Sequence, residues 1–414
     1  VSATALPPHA FELARQFREL TGLEATHFVR APGRVNLIGE HIDYNELAVL
    51  PAAIQREVRI VLRPRADARV RVANVDGRFG VREFELSSSI APFAQGDWGN
   101  YAKAAAEFLA RERGATRGFD ALVSGDIPPA AGLSSSSALT VACGLAVATA
   151  NELPRDPLDL AEALARAERY VGTNSGGMDQ AACLCGRADH ALRIEFRPLK
   201  VEPVPLPADW RFLIAHSGVQ ADKSGAARDA YNLRRNECAA ALAAVVLDPE
   251  LAPELRTGMP PTYRALLARI GAERLAWIAL RQLDGTLARR FRHVISEGAR
   301  VERARKALVA GDIETFGHLM DDSHTSLADD YEASHPALDR LVELARAHGA
   351  LGARLTGAGF GGCIVALVRE RDAERVRAAL ERDFYGGEAG EALLVARASA
   401  GASVAPFAPV PARP

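Results

Sequence analysis

Four consecutive serines at 134–137 sit where a proline- and glycine-bearing loop, "PPAAGL", meets an apolar, alanine-rich run. A strand-like stretch, "FDALVSGDIP", leads into that loop, and a helix is predicted to leave it at about Ser137. A helix N-terminus presents unpaired backbone N–H groups and the positive end of its dipole, and the two together hold anions. Gly132 lets the backbone approach a ligand closely. The hydroxyls add donors and can ligate Mg²⁺. The ligand with that chemistry is the polyphosphate of a nucleotide. No Gly-Lys-Ser/Thr follows, so this is not a Walker A loop. The alternative is a polar loop in which a single serine caps the helix.

Three further segments carry chemistry. "GRVNLIGEHIDYN" places Arg34, Glu40, His41 and Asp43 close together. Such a set can hold a metal, fix the hydroxyls of a sugar with donors and acceptors, or form a surface ion-pair cluster. "GGMDQ" puts Asp179 after two glycines at the start of a predicted helix, as a cap, a base or a ligand. "GAGFGG" at 357–362 matches G-x-G-x-x-G, but the β-branched "CIVALV" follows it where a dinucleotide fingerprint requires a helix. It reads as a loop for substrate or phosphate to pack against, or as a tight turn. Cys183 and Cys185 have no zinc-spaced partners and read as buried packing.

Strands are predicted at 28–30, in "EVRIVL" and "RVRVANV" with turns at Asp67 and Asp76-Gly77, and in "HALRIEF" and "WRFLIAHSGV". The loop "APGRVNLIGEHIDYN" follows the first. Helices are predicted in "NYAKAAAEFLARERG", in "DPLDLAEALARAERYVG" with its Asp cap and Gly stop, over 226–247, and through most of 253–349. Strands and helices mix without a βαβ rhythm, which favours α+β in two lobes over a doubly wound sheet. The chain is 414 residues long, and fifty basic residues nearly balance fifty-two acidic ones. That balance excludes the basic excess of a nucleic-acid binder. No stretch approaches the ~18 apolar residues of a membrane helix, and the first residues lack the pattern of a signal peptide. Five sparse cysteines fit a reducing compartment, so the expected location is cytoplasmic.

With these segments in order, the chain from about Thr26 to Arg397 resembles the galactokinase branch of the GHMP small-molecule kinases. The resemblance lies in "APGRVNLIGEHIDYN", "GLSSSSAL", "AERYVGTNSGGMDQ", "SLADDYEASHPALD" and "GARLTGAGFGGC". The "HID" and "SGGMDQAA" variants are similar to the subtype shared by yeast-type galactokinases and N-acetylgalactosamine kinases. "DHALRIEF" and "YNLR", with its spacing from Lys223, are closest to the yeast type. Three features depart from the commoner pattern. "ELA" at 46–48 stands where many members have a glycine, a loss that matters only if the backbone there takes a positive φ. Ala328 replaces a usual arginine, and Glu168 lies one residue nearer the aspartate than in bacterial members.

The Ala- and Pro-rich tail at 401–414 is expected to lack order. The resemblance implies a two-lobed GHMP kinase fold: a mixed-sheet N-terminal lobe over 1–205 and an α/β C-terminal lobe over 206–400. It implies ATP-dependent phosphorylation of the anomeric hydroxyl of galactose by a monomer, with the site in the cleft. Arg34 and Asp179 match the catalytic pair. Glu40, His41, Asp43, Gly177 and Tyr231 match sugar contacts, alongside Arg34 and Asp179 themselves. Gly132, Leu133, Ser134, Ser135 and Ser136 match the phosphate cradle, Trp98 and Tyr101 lie near the nucleotide, and Ser136 and Glu168 match the Mg²⁺ ligands. The other readings are an anomeric kinase for N-acetylgalactosamine, arabinose or a uronic acid, and a sensor that binds sugar and ATP without turnover. Glu40 speaks against the uronic acid, and the intact serine loop against the sensor.

Overall fold

The computed structural model describes residues 6–128, 131–220, 225–258 and 260–407. The first strands are β1 (His27–Asn36), β2 (Pro51–Pro64), β3 (Arg69–Asn74), β4 (Arg82–Glu85) and β5 (Phe119–Gly125). A two-stranded ribbon follows, β6 (His190–Glu195) and β7 (Lys200–Pro205). Then come β8 (Trp210–His216), β9 (Gly352–Thr356), β10 (Cys363–Arg369), β11 (Leu393–Ala396) and β12 (Ser403–Pro406). One sheet has the order β12-β1-β2-β5-β3-β4, antiparallel except for the parallel β3–β5 pair. The second, β11-β8-β10-β9, is antiparallel throughout.

The helix Ser135–Ala150 lies against β1 and β2 and between other helices. It is buried on nearly every side, which is why "SSSALTVACGLAVATA" has no polar face. The short helix Met178–Cys185 packs beside it on the same two strands. On the second sheet, the helix Ile313–Thr325 packs against β9, and the long helix Gly285–Ala310 packs on Ile313–Thr325 and on Ala226–Val245. The chemistry-bearing segments fall where the two sheet-and-helix assemblies meet: the end of β1, the start of the 135–150 helix and the turn between β9 and β10.

Three expectations change. First, β1 continues through "APGRVN" to Asn36, so Arg34 sits on a strand rather than in a loop. Pro32 has no N–H for the ladder, and the register with β2 shifts between Pro32 and Arg34 instead of ending. Second, the tail is ordered through residue 407. Ser403 to Pro406 pair with β1, and Phe407 N–H donates to Thr26 O at 2.9 Å. Residues 408–414 lie outside the described residues. Third, Glu46 takes φ 65°, so the missing glycine does matter there. A non-glycine residue in that region carries strain of about 1–3 kcal/mol. All five cysteines are free; Cys183 is buried as expected, whereas Cys185 is only partly buried.

Candidate active site

Asp179 stands in the first turn of the Met178–Cys185 helix, which starts from Gly177 at φ 105°. Arg34 reaches it from β1, with its side chain 2% exposed. Arg34 Nε donates to Asp179 Oδ1 at 2.8 Å, and Nη2 lies 2.8 Å from the same oxygen. Arg34 Nη1 donates to Gly132 O at 2.6 Å. Ser134 Oγ donates to Asp179 Oδ2 at 2.5 Å, and Ser137 Oγ lies 3.5 Å from it. The carboxylate is therefore gripped on both oxygens, which fixes its orientation before any ligand arrives.

The grip requires close approach of three chain segments. Arg34 N–H donates to Leu133 O at 3.2 Å, and a β-carbon at Gly33 would stand only 2.7 Å from that oxygen. Gly132 and Gly357 meet backbone to backbone: a β-carbon on Gly132 would lie 2.7 Å from Thr356 O, and one on Gly357 2.7 Å from Gly132 O. The "GAGFGG" loop thus packs on the serine loop, and Gly357 and Ala358 reach the site beyond it.

The 39–45 segment forms the facing wall. Glu40 Oε1 accepts from Gly357 N–H at 2.6 Å and Thr356 Oγ1 at 3.2 Å, and Arg354 Nη2 lies 3.8 Å away. Glu297, on the 285–310 helix, accepts from Gly39 N–H at 2.9 Å and Ser323 Oγ at 2.7 Å, and pairs with Arg300 at 2.7 Å. His41 has both ring nitrogens engaged, Nε2 with Ala358 O at 3.0 Å and Nδ1 with Tyr44 OH at 2.9 Å. Burial and the neighbouring His293 lower its pKa to about 3, so the ring is neutral, donates to Ala358 and accepts from Tyr44. Asp43 Oδ2 accepts from Gly176 N–H at 3.0 Å. Burial, then the nearby Asp179, raise the Asp43 carboxyl to about 6. Tyr231 stacks at 5.4 Å from His41, and burial, with the charges of Asp43 and Asp179, pushes its phenol well above the ordinary value. It is a hydroxyl donor at any working pH.

These groups share one cleft. Arg34, Glu40, His41, Asp43, Asp179 and Tyr231 all line it, and so does Glu168. Gly177 lies outside its lining and acts by starting the helix that carries Asp179. The serine loop contributes differently from the simplest expectation. Leu133 is buried, and Ser134, with φ 60°, points its hydroxyl at Asp179. The N–H groups of the first turn and the half-buried Ser135 and Ser136 are the donors there that an anion could take.

Ser136 stands in the first turn of the 135–150 helix and Glu168 is a buried carboxylate on the cleft lining, and both are oxygen donors of the kind Mg²⁺ takes. Among the described residues, no group of three or more His, Cys, Asp or Glu could hold a metal alone. Trp98 is buried and donates its indole N–H to Gly80 O at 3.2 Å, and Tyr101 follows on the Gly99–Arg113 helix. That helix packs on the 135–150 helix, and neither aromatic lines the cleft. Lys223 lies outside the described residues. Sequence reasoning missed Arg354, Glu297, Thr173, Ser175 and Arg228. The first two are buried charges on distant elements, and the other three lack a distinctive motif.

Comparison with known proteins agrees with this geometry. A galactokinase galactose-binding signature matches residues 15–64. The GHMP kinases N terminal domain matches 100–187, and the GHMP kinases C terminal domain matches 304–386. The crystal structure of Lactococcus lactis galactokinase complexed with galactose is 32% identical, with a TM-score of 0.83, over 95% of this chain and 99% of that one. Methanococcus jannaschii mevalonate kinase (19% identical, TM-score 0.57, 90% and 98% covered) shares the fold. So does homoserine kinase from Cytophaga hutchinsonii (18%, 0.57, 92% and 98%). The galactose-binding signature covers β1, the 39–45 wall and all of β2, and the similarity to a galactokinase runs over 95% of this chain, so the chain belongs to the galactokinase family of the GHMP kinases.

Proposed function

We propose that the protein transfers the γ-phosphoryl group of ATP to the anomeric hydroxyl of galactose, with Asp179 as the proton acceptor. The observation that carries this assignment is the Asp179 carboxylate, fixed by Arg34 and Ser134 in a cleft that Asp43, Glu40 and Tyr231 also line. The anomeric oxygen forms a bond to the γ-phosphorus as the bond from that phosphorus to the bridging oxygen of ADP breaks. The hydroxyl proton passes to Asp179. General-base assistance of this kind contributes typically 10²- to 10⁴-fold. The transition state is loose, so positioning and charge stabilisation supply most of the rate.

Arg34 orients Asp179 and adds positive charge beside it. The first turn of the 135–150 helix holds the phosphates. Ser136 and Glu168 would hold Mg²⁺, which supplies charge neutralisation at the β- and γ-phosphates. Asp43 accepts from the 3- and 4-hydroxyls, and Tyr231 bonds the axial 4-hydroxyl. Glu40 has Oε1 committed to Gly357, which leaves Oε2 for the 6-hydroxyl. The His41 ring shapes the wall beside it. A buried polar site rejects an analogue that misplaces a hydroxyl, because its groups are then left unpaired; factors of about 10⁴ are attainable. The test is kcat/KM for galactose, glucose and N-acetylgalactosamine on one preparation. Galactose should lead, with glucose lower by about 10²-fold or more. A higher value for N-acetylgalactosamine would overturn the substrate and leave the kinase standing.

A further inference from the structure

The cleft has a charge problem. Among the described residues, its lining holds four carboxylates, Glu40, Asp43, Glu168 and Asp179, against two guanidiniums, Arg34 and Arg228. A triphosphate entering it adds several more negative charges. Arg34 is largely committed, with Nε and Nη2 on Asp179 and Nη1 on Gly132 O. Its charge is spent chiefly on the base. Arg228 is the other cation among the described lining residues.

Arg228 stands three residues before Tyr231 on the Ala226–Val245 helix. Residues at that spacing share a helix face, so the face that turns Tyr231 into the cleft turns Arg228 there too. Its guanidinium lies against Gly172, which ends the 168–171 turn that carries Glu168. A β-carbon at Gly172, where φ is 83°, would stand 3.5 Å from Arg228 Nη1. Among the described residues, the side-chain partner of Arg228 is weak: Nε and Nη2 donate to Asp229 Oδ1 at 3.2 and 3.0 Å, and that side chain is 71% exposed. An exposed pair of this kind contributes little and yields readily to a phosphate, which a guanidinium binds with two parallel hydrogen bonds.

We propose that Arg228 contacts the transferred phosphoryl group and is a second catalytic cation of this site. This rests on the galactose kinase reading above. In the ground state Arg228 holds Asp229; with both substrates bound it turns to the γ-phosphoryl oxygens. There it offsets the charge of Asp179 and Asp43 as the phosphoryl group passes to the sugar. The same contact survives in the product, so Arg228 also favours galactose 1-phosphate over galactose.

The experiment compares wild type with Arg228→Met, Arg228→Lys, Arg228→Ala and Asp229→Asn. Arg228→Met should lower kcat by about 10²- to 10³-fold, the scale of losing one charge-stabilising donor. Galactose binding, read by titration calorimetry, should change less than about fivefold, the scale of an exposed ion pair. Galactose 1-phosphate binding should weaken about tenfold or more, the loss of a charge-assisted phosphate contact. Arg228→Lys should recover part of both losses, and added guanidinium should partly rescue Arg228→Ala. Asp229→Asn should retain activity. Wild type that phosphorylates galactose while Arg228→Met keeps its kcat overturns this proposal alone. The same follows if Asp229→Asn reproduces the loss, or if galactose and galactose 1-phosphate weaken equally. Wild type that transfers nothing to galactose overturns the parent reading with it.

Discussion

Asp43 carries a pH dependence that can be read from its surroundings. It is buried, Asp179 is near, and its carboxyl is raised to about 6. An unfolded aspartate ionises near ~3.9. Between these values the native state binds the extra proton, so this group's contribution to stability falls as pH rises through that window. Sugar binding runs the other way, because two hydroxyls need an ionised acceptor. The KM for galactose should rise as pH drops below about 6, and Asp43→Asn should flatten that rise while weakening binding at every pH. A KM independent of pH in wild type would contradict the role. Asp179→Asn should lower kcat by about 10²-fold or more, while calorimetry still detects galactose. Arg34, Asp43 and Asp179 were legible because short motifs bracket them. The partners of Asp179 were not. That Ser134 faces the carboxylate follows from its φ of 60°, which no residue pattern at 134–137 announces.

Among the elements, the buried network behind the 39–45 wall decides whether the site keeps its shape. Arg354 on β9 is fully buried, donates to Asn36 O at 2.9 Å and Ser323 Oγ at 3.2 Å, and faces Glu40 at 3.8 Å. Removing one member of a buried charge cluster strands the others, at a cost of about 3–5 kcal/mol. Arg354→Met should therefore lower the melting temperature markedly, and should raise the galactose KM because Glu40 loses its support. An unchanged melting temperature would show that the cluster tolerates the loss. The helices of this assembly were readable from period and caps: Asp156 caps the 157–167 helix through Leu158 and Asp159, as the sequence indicates. The network was not. It joins β1, β9 and the helices Gly285–Ala310 and Ile313–Thr325, and only the folded chain brings those together.

For the whole molecule, the C-terminal segment returns to close the first sheet. β12 pairs with β1, and Phe407 meets Phe11 edge-on at 5.9 Å. An edge stripped of that strand exposes unpaired backbone and invites association. Truncation before Ser403 should lower the melting temperature and increase aggregation, as light scattering would show; a truncated chain that stayed monodisperse with an unchanged melting temperature would contradict this. Alanine and proline composition masked the strand, since only "SVAP" carries its pattern. Among the described residues, no helix is long and apolar enough to cross a membrane. The two-lobed GHMP kinase fold itself was legible from the family motifs and their order. Everything in the molecule converges on one reaction, the transfer of a phosphoryl group to the anomeric oxygen of galactose. The most direct test is the phosphorus NMR spectrum of the product formed from galactose and ATP. The account predicts a single sugar phosphate whose phosphorus couples to the anomeric proton, formed in step with ADP. Phosphate on the 6-oxygen, or ADP formed with free phosphate and unaltered galactose, would contradict it.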